Sequence, residues 1–149
     1  WSIGMYGFGE CLPYENNRIS LSPEKTDKWG LPLVVADAEF QENEHAMRED
    51  MMTDAAEMLE AMGAKGISTY NRKPSIGLAI HEMGTARMGS TPEESVLNKH
   101  NQVWGASNVF CTDGAAMVSS GCQNPSLTYM ALTARAVDFA VSEMKKGNL

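Results

Sequence analysis

The chain has 149 residues, of which 43% are hydrophobic and 21% are charged, proportions typical of a single soluble globular domain. Its net charge of −7 at pH 7 argues against a surface for nucleic acid or anionic lipid, because both require clustered lysine and arginine. No apolar run approaches the roughly 18 residues of a membrane-spanning helix, and the first residues lack the basic and apolar regions of a secretory signal.

The first third of the sequence is predicted to be rich in strands. The segments WSIGMYGFGE, NRISL and LPLVVAD carry β-branched or aromatic residues between proline, glycine and asparagine. The glycines of GMYGFG have the wrong spacing for a dinucleotide-binding turn. Because the first segment begins at Trp1 without a methionine, we expect the true start upstream, which leaves the compartment open between cytoplasm and periplasm.

An amphipathic helix is predicted from Glu42 to Met62, with Gly63 as its stop signal. Methionine fills irregular gaps in protein cores, so we interpret the apolar stripe of this helix as core rather than as a ligand-binding surface. The stripe consists of Met47, Met51, Ala55, Met58, Leu59 and Met62.

Residues 63–107 are rich in glycine, serine, threonine, asparagine and proline, and this composition predicts loops and short strands. The run NVFCTD that follows is typical of a strand buried on both faces. The three cysteines are odd in number and form no CxxC pair, which argues against a metal knuckle or a full disulfide framework. We predict that Cys11, Cys111 and Cys122 are small buried hydrophobic residues.

A second long helix is predicted in the stretch QNPSLTYMALTARAVDFAVSEMKKG. Asn124 is a good N-cap, Pro125 suits the first helical position, and the basic pair before Gly147 favours the helix C-terminus. The face predicted to be buried consists of Leu127, Met130, Ala131, Ala134, Val137 and Val141.

Three places carry residues that suggest chemistry: His81 in HEMGTARMGS, the pair Asp113 and Gly114, and the helix start at Asn124. The zinc motif HExxH fails, because Thr85 stands where a second histidine is needed, and no metal site is predicted. Each place also has a structural explanation: a surface histidine, an Asp-Gly turn and a helix cap. Spacing alone does not decide between these explanations.

The motif HEMGTARMG and the later run NVFCTDGAAMVSSGCQNPSLTYMALTARAVD together resemble the C-terminal signature of the glucose-methanol-choline (GMC) oxidoreductases, flavoenzymes that oxidise alcohols. These two sequence segments are especially similar to the flavoprotein subunits of gluconate and related sugar-acid dehydrogenases. The segment NRISLSPEKTDKWGLPLV resembles the family's substrate-domain strands more loosely.

The resemblance implies an α+β C-terminal fragment. Residues 1–107 would form the substrate-binding region, an antiparallel sheet with an amphipathic helix. Residues 108–149 would supply a strand and a long helix that complete the FAD-binding domain. The family's FAD-binding half opens with a GxGxxG turn that this chain lacks, so the implied partner is a missing N-terminal half that holds most of the FAD site.

By position, the resemblance assigns His81 as the catalytic base that accepts the substrate hydroxyl proton, and Asn124 as a second polar group on the same hydroxyl. Ala86 departs from the cysteine of many members, without an evident catalytic consequence. The positions implied for cofactor binding are Asp113 and Gly114 near the ribityl and pyrophosphate of FAD, and Asn124, Pro125, Ser126 and Thr128 beneath the flavin ring.

The chemistry of these residue types agrees with that assignment. A neutral imidazole can take a hydroxyl proton near neutral pH, and an asparagine can orient the hydroxyl without competing for the proton. The expected substrate is a sugar, aldonate or polyol, with an unknown electron acceptor. The alternatives are a flavin-independent acid-base lyase of the same fold, or a binding or assembly domain that has lost catalysis.

Overall fold

Two antiparallel strands, β1 (Arg18–Thr26) and β2 (Pro32–Asp37), form the sheet of the computed structural model, which describes residues 2–71 and 76–149. Arg18 pairs with Asp37, and the register is irregular between Leu21 and Thr26. The turn is closed by Asp27, whose Oδ1 accepts hydrogen bonds from the backbone N–H groups of Trp29 (2.8 Å) and Leu31 (3.0 Å). The strands predicted for NRISL and LPLVVAD are therefore confirmed.

The strand predicted for WSIGMYGFGE is wrong for residues 2–10, which pair with no other strand. This segment instead lies against a helix. A Cβ atom on Gly7 would stand 2.6 Å from Met51 Sδ, and one on Gly9 would stand 2.5 Å from Met47 Sδ. Glycine removes the side chain that would block this approach, so the segment packs on methionine side chains rather than pairing in a sheet.

Helix α1 spans Glu42–Ala61, as predicted, and Gly63 follows at a φ of 82°. Its start is fixed by a capping box, in which Glu44 Oε2 accepts from the backbone N–H of Gln41 at 3.0 Å. Four members of the predicted stripe are half-buried, whereas Met58 and Met62 are exposed. The core interpretation is therefore wrong for the C-terminal end of the stripe.

In the part of the chain that the structure describes, the core lies between the loops after residue 85 and the C-terminal helix, Ser126–Lys145. Its fully buried apolar residues are Leu97, Ala116 and Ala136, and Asn101 is buried with them. The predicted loop region forms isolated bridges rather than strands, including Met88 with Leu97. The strand predicted for NVFCTD is wrong, because it makes a single bridge, from Phe110 to Gln102, and 47% of Val109 is exposed.

Helix α2 spans Ser126–Lys145 and packs through the side that carries Thr133, Ala136 and Phe139. Thr133 Oγ1 donates to the carbonyl of Thr112 at 2.8 Å, and the Phe139 ring stacks on His100 at 3.9 Å between centroids. The face predicted to be buried is wrong. All of its members are exposed, with 79% of Leu127 and 62% of Met130 accessible: Leu127, Met130, Ala131, Ala134, Val137 and Val141.

The three cysteines are free, but only Cys111 is half-buried. The prediction of burial is wrong for Cys11 and Cys122, which are exposed. Among the described residues, no helix has the length and apolarity needed to cross a membrane.

Candidate functional site

The side chains of His81 and Asn124 meet, although 43 residues separate them in the sequence. His81 Nε2 lies 3.1 Å from Asn124 Oδ1, which is hydrogen-bond distance, with His81 half-buried and Asn124 exposed. With the proton on Nε2, the imidazole donates to the amide oxygen. The structure thus joins a proton acceptor and an amide at one accessible point.

The loop that carries His81 is held by its contact with residues 114–118. The backbone N–H of Ala86 donates to Ala115 O and that of Met88 donates to Ala116 O, both at 3.0 Å. Gly84 has a φ of 87°, and a Cβ there would lie 3.2 Å from the carbonyl oxygen of Val118. This position requires glycine because its backbone conformation and its close contact both exclude a side chain.

Ile80, directly before His81, has a φ of 73°, a conformation that β-branched residues rarely adopt. Such a backbone costs about 1–3 kcal/mol and is characteristic of functional sites. The sequence contains no signal for it, since isoleucine is not a residue that would be expected at positive φ.

Asp113 and Gly114 lie at the start of a short 3₁₀ turn, Gly114–Ala116, against the His81 loop. Asp113 Oδ1 accepts from the backbone N–H of Ala115 at 2.9 Å. Burial raises the pKa of the Cys111 thiol, and the negative charge of Asp113 raises it further. A Cβ on Gly114 would lie 2.8 Å from the sulfur of Met83, so the turn fits closely under the loop.

The start of α2 differs from the prediction. The N-cap position is Pro125, no side chain caps the helix, and Asn124 precedes the cap. The expectation that Asn124 caps the helix is wrong, because its amide oxygen contacts His81 instead. Pro125 is buried, Ser126 Oγ lies 2.8 Å from the hydroxyl of Tyr129, and Thr128 is exposed.

One contact at this site was not predicted from the sequence. Ser119 Oγ donates to Glu10 Oε1, and this hydrogen bond joins the N-terminal segment to the loop that leads into Asn124. The two residues are 109 positions apart, and the segments that contain them give neither residue a predicted role. No feature of the sequence alone indicates this contact.

Within residues 2–71 and 76–149, no group of three or more His, Cys, Asp or Glu side chains is placed to hold a metal ion. The polar groups described above are the His81 imidazole, the Asn124 amide, the Glu10 carboxylate and the uncapped start of α2.

Comparison with known proteins identifies relatives along most of the chain. A 2-methyl-1,2-propanediol dehydrogenase of Mycolicibacterium austroafricanum is 38% identical over 91% of this chain and 24% of its own length. The fructose dehydrogenase large subunit of Gluconobacter japonicus is 32% identical over 97% of this chain and 26% of its own. The gluconate 2-dehydrogenase flavoprotein of Pantoea cypripedii is 30% identical, over 88% and 22%.

The chain thus spans about a quarter of the length of these curated relatives. The family model described as GMC oxidoreductase matches residues 13–133, a range that includes His81, Asn124 and the loop contacts between them. By this match and by these relatives, the chain belongs to the GMC oxidoreductases.

Proposed function

We propose that this chain is the C-terminal substrate and catalytic part of an FAD-dependent dehydrogenase that oxidises a CH–OH group of a sugar, aldonate or polyol. The relatives named above are dehydrogenases of a diol, of fructose and of gluconate, and two are named as a flavoprotein or a large subunit. These names support the substrate class and the flavin. Because the chain spans only a quarter of their length, the activity belongs to a longer protein.

The observation that carries the proposal is the 3.1 Å contact between His81 Nε2 and Asn124 Oδ1. His81 would act as the general base that takes the substrate hydroxyl proton, and Asn124 would orient that hydroxyl. For His81 to accept this proton at Nε2, the neutral imidazole must carry its hydrogen on Nδ1, and the substrate hydroxyl must replace the contact with Asn124 Oδ1. The hydroxyl would then donate to Nε2 and accept from the Asn124 amide N–H, so a single substrate oxygen would satisfy both groups. The exposure of Asn124 leaves the pair accessible to a small molecule.

The residues near this pair fit a flavin. The N-terminus of α2 carries the partial positive charge of its backbone N–H groups, and no side chain caps it. Asn124, Pro125, Ser126 and Thr128 would lie under the flavin ring, and Asp113 with Gly114 would face the ribityl and pyrophosphate. A flavin held by these residues would supply the hydride acceptor for the oxidation. The helix N-terminus would favour the negative charge that reduction leaves.

We also propose a division of the chain into two regions. Residues 1–107 would form the substrate-binding region, and residues 108–149 would return to the FAD-binding domain. The partner that would complete the cofactor site is the N-terminal FAD-binding half of the protein.

The test is anaerobic reduction of the full-length protein by alcohols. We expect the purified protein to show a flavin absorbance spectrum that bleaches when a sugar, an aldonate or a polyol is added. A flavoprotein that cleaves a cyanohydrin without being bleached by any alcohol would instead be the acid-base lyase. A protein with neither activity would be a binding or assembly domain, and both results would contradict the proposal.

A further inference from the structure

The N-terminal segment brings one carboxylate, that of Glu10, to the edge of the proposed site. Glu10 Oε1 accepts from the hydroxyl of Ser119. On either side of Glu10 the segment is fixed to α1, through the contact of Gly9 with Met47 and through the bond from the backbone N–H of Leu12 to Glu44 at 2.9 Å. The position of Glu10 is therefore set from both sides.

The hydrogen-bond partner of Glu10 lies in a loop that contacts the His81 loop and leads to Asn124. Ser119 follows Val118, whose carbonyl oxygen faces Gly84 in the His81 loop, and its own loop continues to Asn124. Burial is the largest cause that raises the pKa of the Cys11 thiol, and the charges of Glu44, Glu10 and Glu82 raise it further. Glu10 is thus joined by a hydrogen bond to the loop that ends at Asn124.

Glu10, like Glu82, is exposed and keeps acceptor capacity toward solvent, whereas Glu44 does not. Glu44 is buried and accepts two backbone N–H groups, and Glu82 Oε1 accepts from the backbone N–H of Ala79 at 2.9 Å. Glu10 is exposed, and its Oε1 accepts a hydrogen bond from Ser119. An ionised carboxylate offers about four acceptor positions, so Glu10 can accept further hydrogen bonds from a ligand.

We infer that Glu10 is a specificity-determining residue that accepts a hydrogen bond from a second hydroxyl of the substrate, so that the site favours polyhydroxy alcohols over monohydroxy ones. This inference rests on the proposed function. A carboxylate only accepts hydrogen bonds, so it recognises a hydroxyl donor and gains nothing from an alkyl group in the same place. A monohydroxy alcohol would not make this hydrogen bond, which would lower its rate relative to that of a polyhydroxy alcohol.

A purely structural role for Glu10 makes a different prediction. If the bond from Ser119 only ties the N-terminal segment to the loop before Asn124, then removing either partner should slow all substrates by the same factor. A specificity role predicts a selective loss in Glu10→Ala. It also predicts a smaller selective loss in Ser119→Ala, because the carboxylate is still present.

The experiment is rapid anaerobic flavin reduction in the full-length protein. The polyhydroxy probes are 1,2-propanediol, D-glucitol and D-glucose, and the monohydroxy probes are 1-propanol and 1-butanol. The quantity measured is the ratio of the second-order rate constants for the two classes. We expect Glu10→Ala to lower this ratio by at least about 10-fold, the size expected for loss of a hydrogen bond to a charged group. Glu15→Ala, an exposed glutamate of the same segment, should leave it unchanged.

A second readout is D-glucitol binding to the oxidised protein, followed by the change in flavin absorbance, which should weaken in Glu10→Ala. Equal slowing of both classes in Glu10→Ala would overturn the inference and leave Glu10 as a tether. A wild-type protein without preference for the polyhydroxy probes would overturn it as well. If no sugar, aldonate or polyol reduced the flavin, the proposed function and this inference would fail together.

Discussion

At the scale of single residues, the site depends on two side chains that the sequence pattern does not connect. His81 and Asn124 are 43 positions apart, and only the family resemblance assigned them to one hydroxyl. Helix-start rules instead predicted Asn124 as a cap, because asparagine is a frequent N-cap residue. The structure gives the cap position to Pro125, and the Asn124 side chain contacts His81.

Replacement of Asn124 tests whether this contact serves chemistry. Because no side-chain cap is lost, Asn124→Ala and Asn124→Ser should both change the stability of the full-length protein by less than about 0.5 kcal/mol. Both should slow flavin reduction by about 10-fold or more, because the substrate hydroxyl loses its orientation. Thermal unfolding and stopped-flow reduction measure the two effects, with Gln123→Ala as the neighbouring control. A variant that unfolds earlier but reacts at the wild-type rate would restore the cap interpretation.

Gly84 is the residue whose backbone brings the His81 loop against residues 117 and 118. Gly84→Ala combines a φ of 87° with a Cβ at 3.2 Å from Val118 O, and we expect a loss of about 1–3 kcal/mol. The matched control is Gly105→Ala, which has a φ of 75° but open space around the new Cβ. Chemical denaturation should show the larger loss for Gly84→Ala, and flavin reduction should slow only in that variant. Equal losses in both would mean that the contact with Val118 is unimportant.

At the scale of secondary-structure elements, local patterns predicted the hairpin and both helices. The predictions from local patterns failed for segments whose structure depends on the element that packs against them. The segment NVFCTD has the composition of a buried strand, but it forms a single isolated β-bridge. The N-terminal segment was predicted as a strand, but its Gly7 and Gly9 lie against methionines of α1. The apolar face of α2 follows from its periodicity, yet the chain packs on another side of that helix. A period identifies an apolar face without identifying what covers it.

The start of α1 has an acid-sensitive element in Glu44, which is 2% exposed. Burial alone raises its pKa, but the backbone N–H groups of Leu12 and Gln41 outweigh burial, so the pKa lies below its ordinary value of 4.5. A lowered folded-state pKa contributes stability above the unfolded-state pKa, and that contribution is lost as pH falls through the folded-state pKa.

We therefore expect Glu44→Gln to destabilise this chain by about 1–3 kcal/mol near neutral pH and by progressively less in acid. The difference in free energy of unfolding between wild type and variant, measured at several pH values, checks this. The exposed neighbour Glu42→Gln serves as control and should show no such trend. A difference for Glu44→Gln that stays constant from neutral to acid pH would contradict the account of this carboxylate.

At the scale of the whole molecule, the chain exposes many large apolar side chains. The exposed face of α2 includes Leu127, Met130, Val137 and Met144, and both strands of the hairpin expose large aliphatic side chains. A large apolar patch on a protein marks a surface for another chain or segment. This pattern agrees with a chain that spans about a quarter of its relatives' length.

The 149-residue chain produced by itself is therefore expected to self-associate and to bind a hydrophobic dye. The double variant Leu127→Lys with Val137→Lys should weaken both effects, because it charges the exposed face of α2. Analytical ultracentrifugation over a range of concentrations measures the association. Ser142→Lys, at an exposed polar position of the same helix, is the control. A wild-type chain that stays monomeric at high concentration and binds no dye would contradict this prediction.

The most direct test of the account is the rate of flavin reduction in the full-length protein with His81→Ala. Because His81 is proposed to accept the substrate hydroxyl proton, its loss should slow reduction by about 100-fold or more while substrate binding changes little. His45→Ala, at an exposed position in α1, is the matched histidine control and should react normally. Stopped-flow reduction of the His81→Ala protein at nearly the wild-type rate would contradict the assignment of the catalytic base.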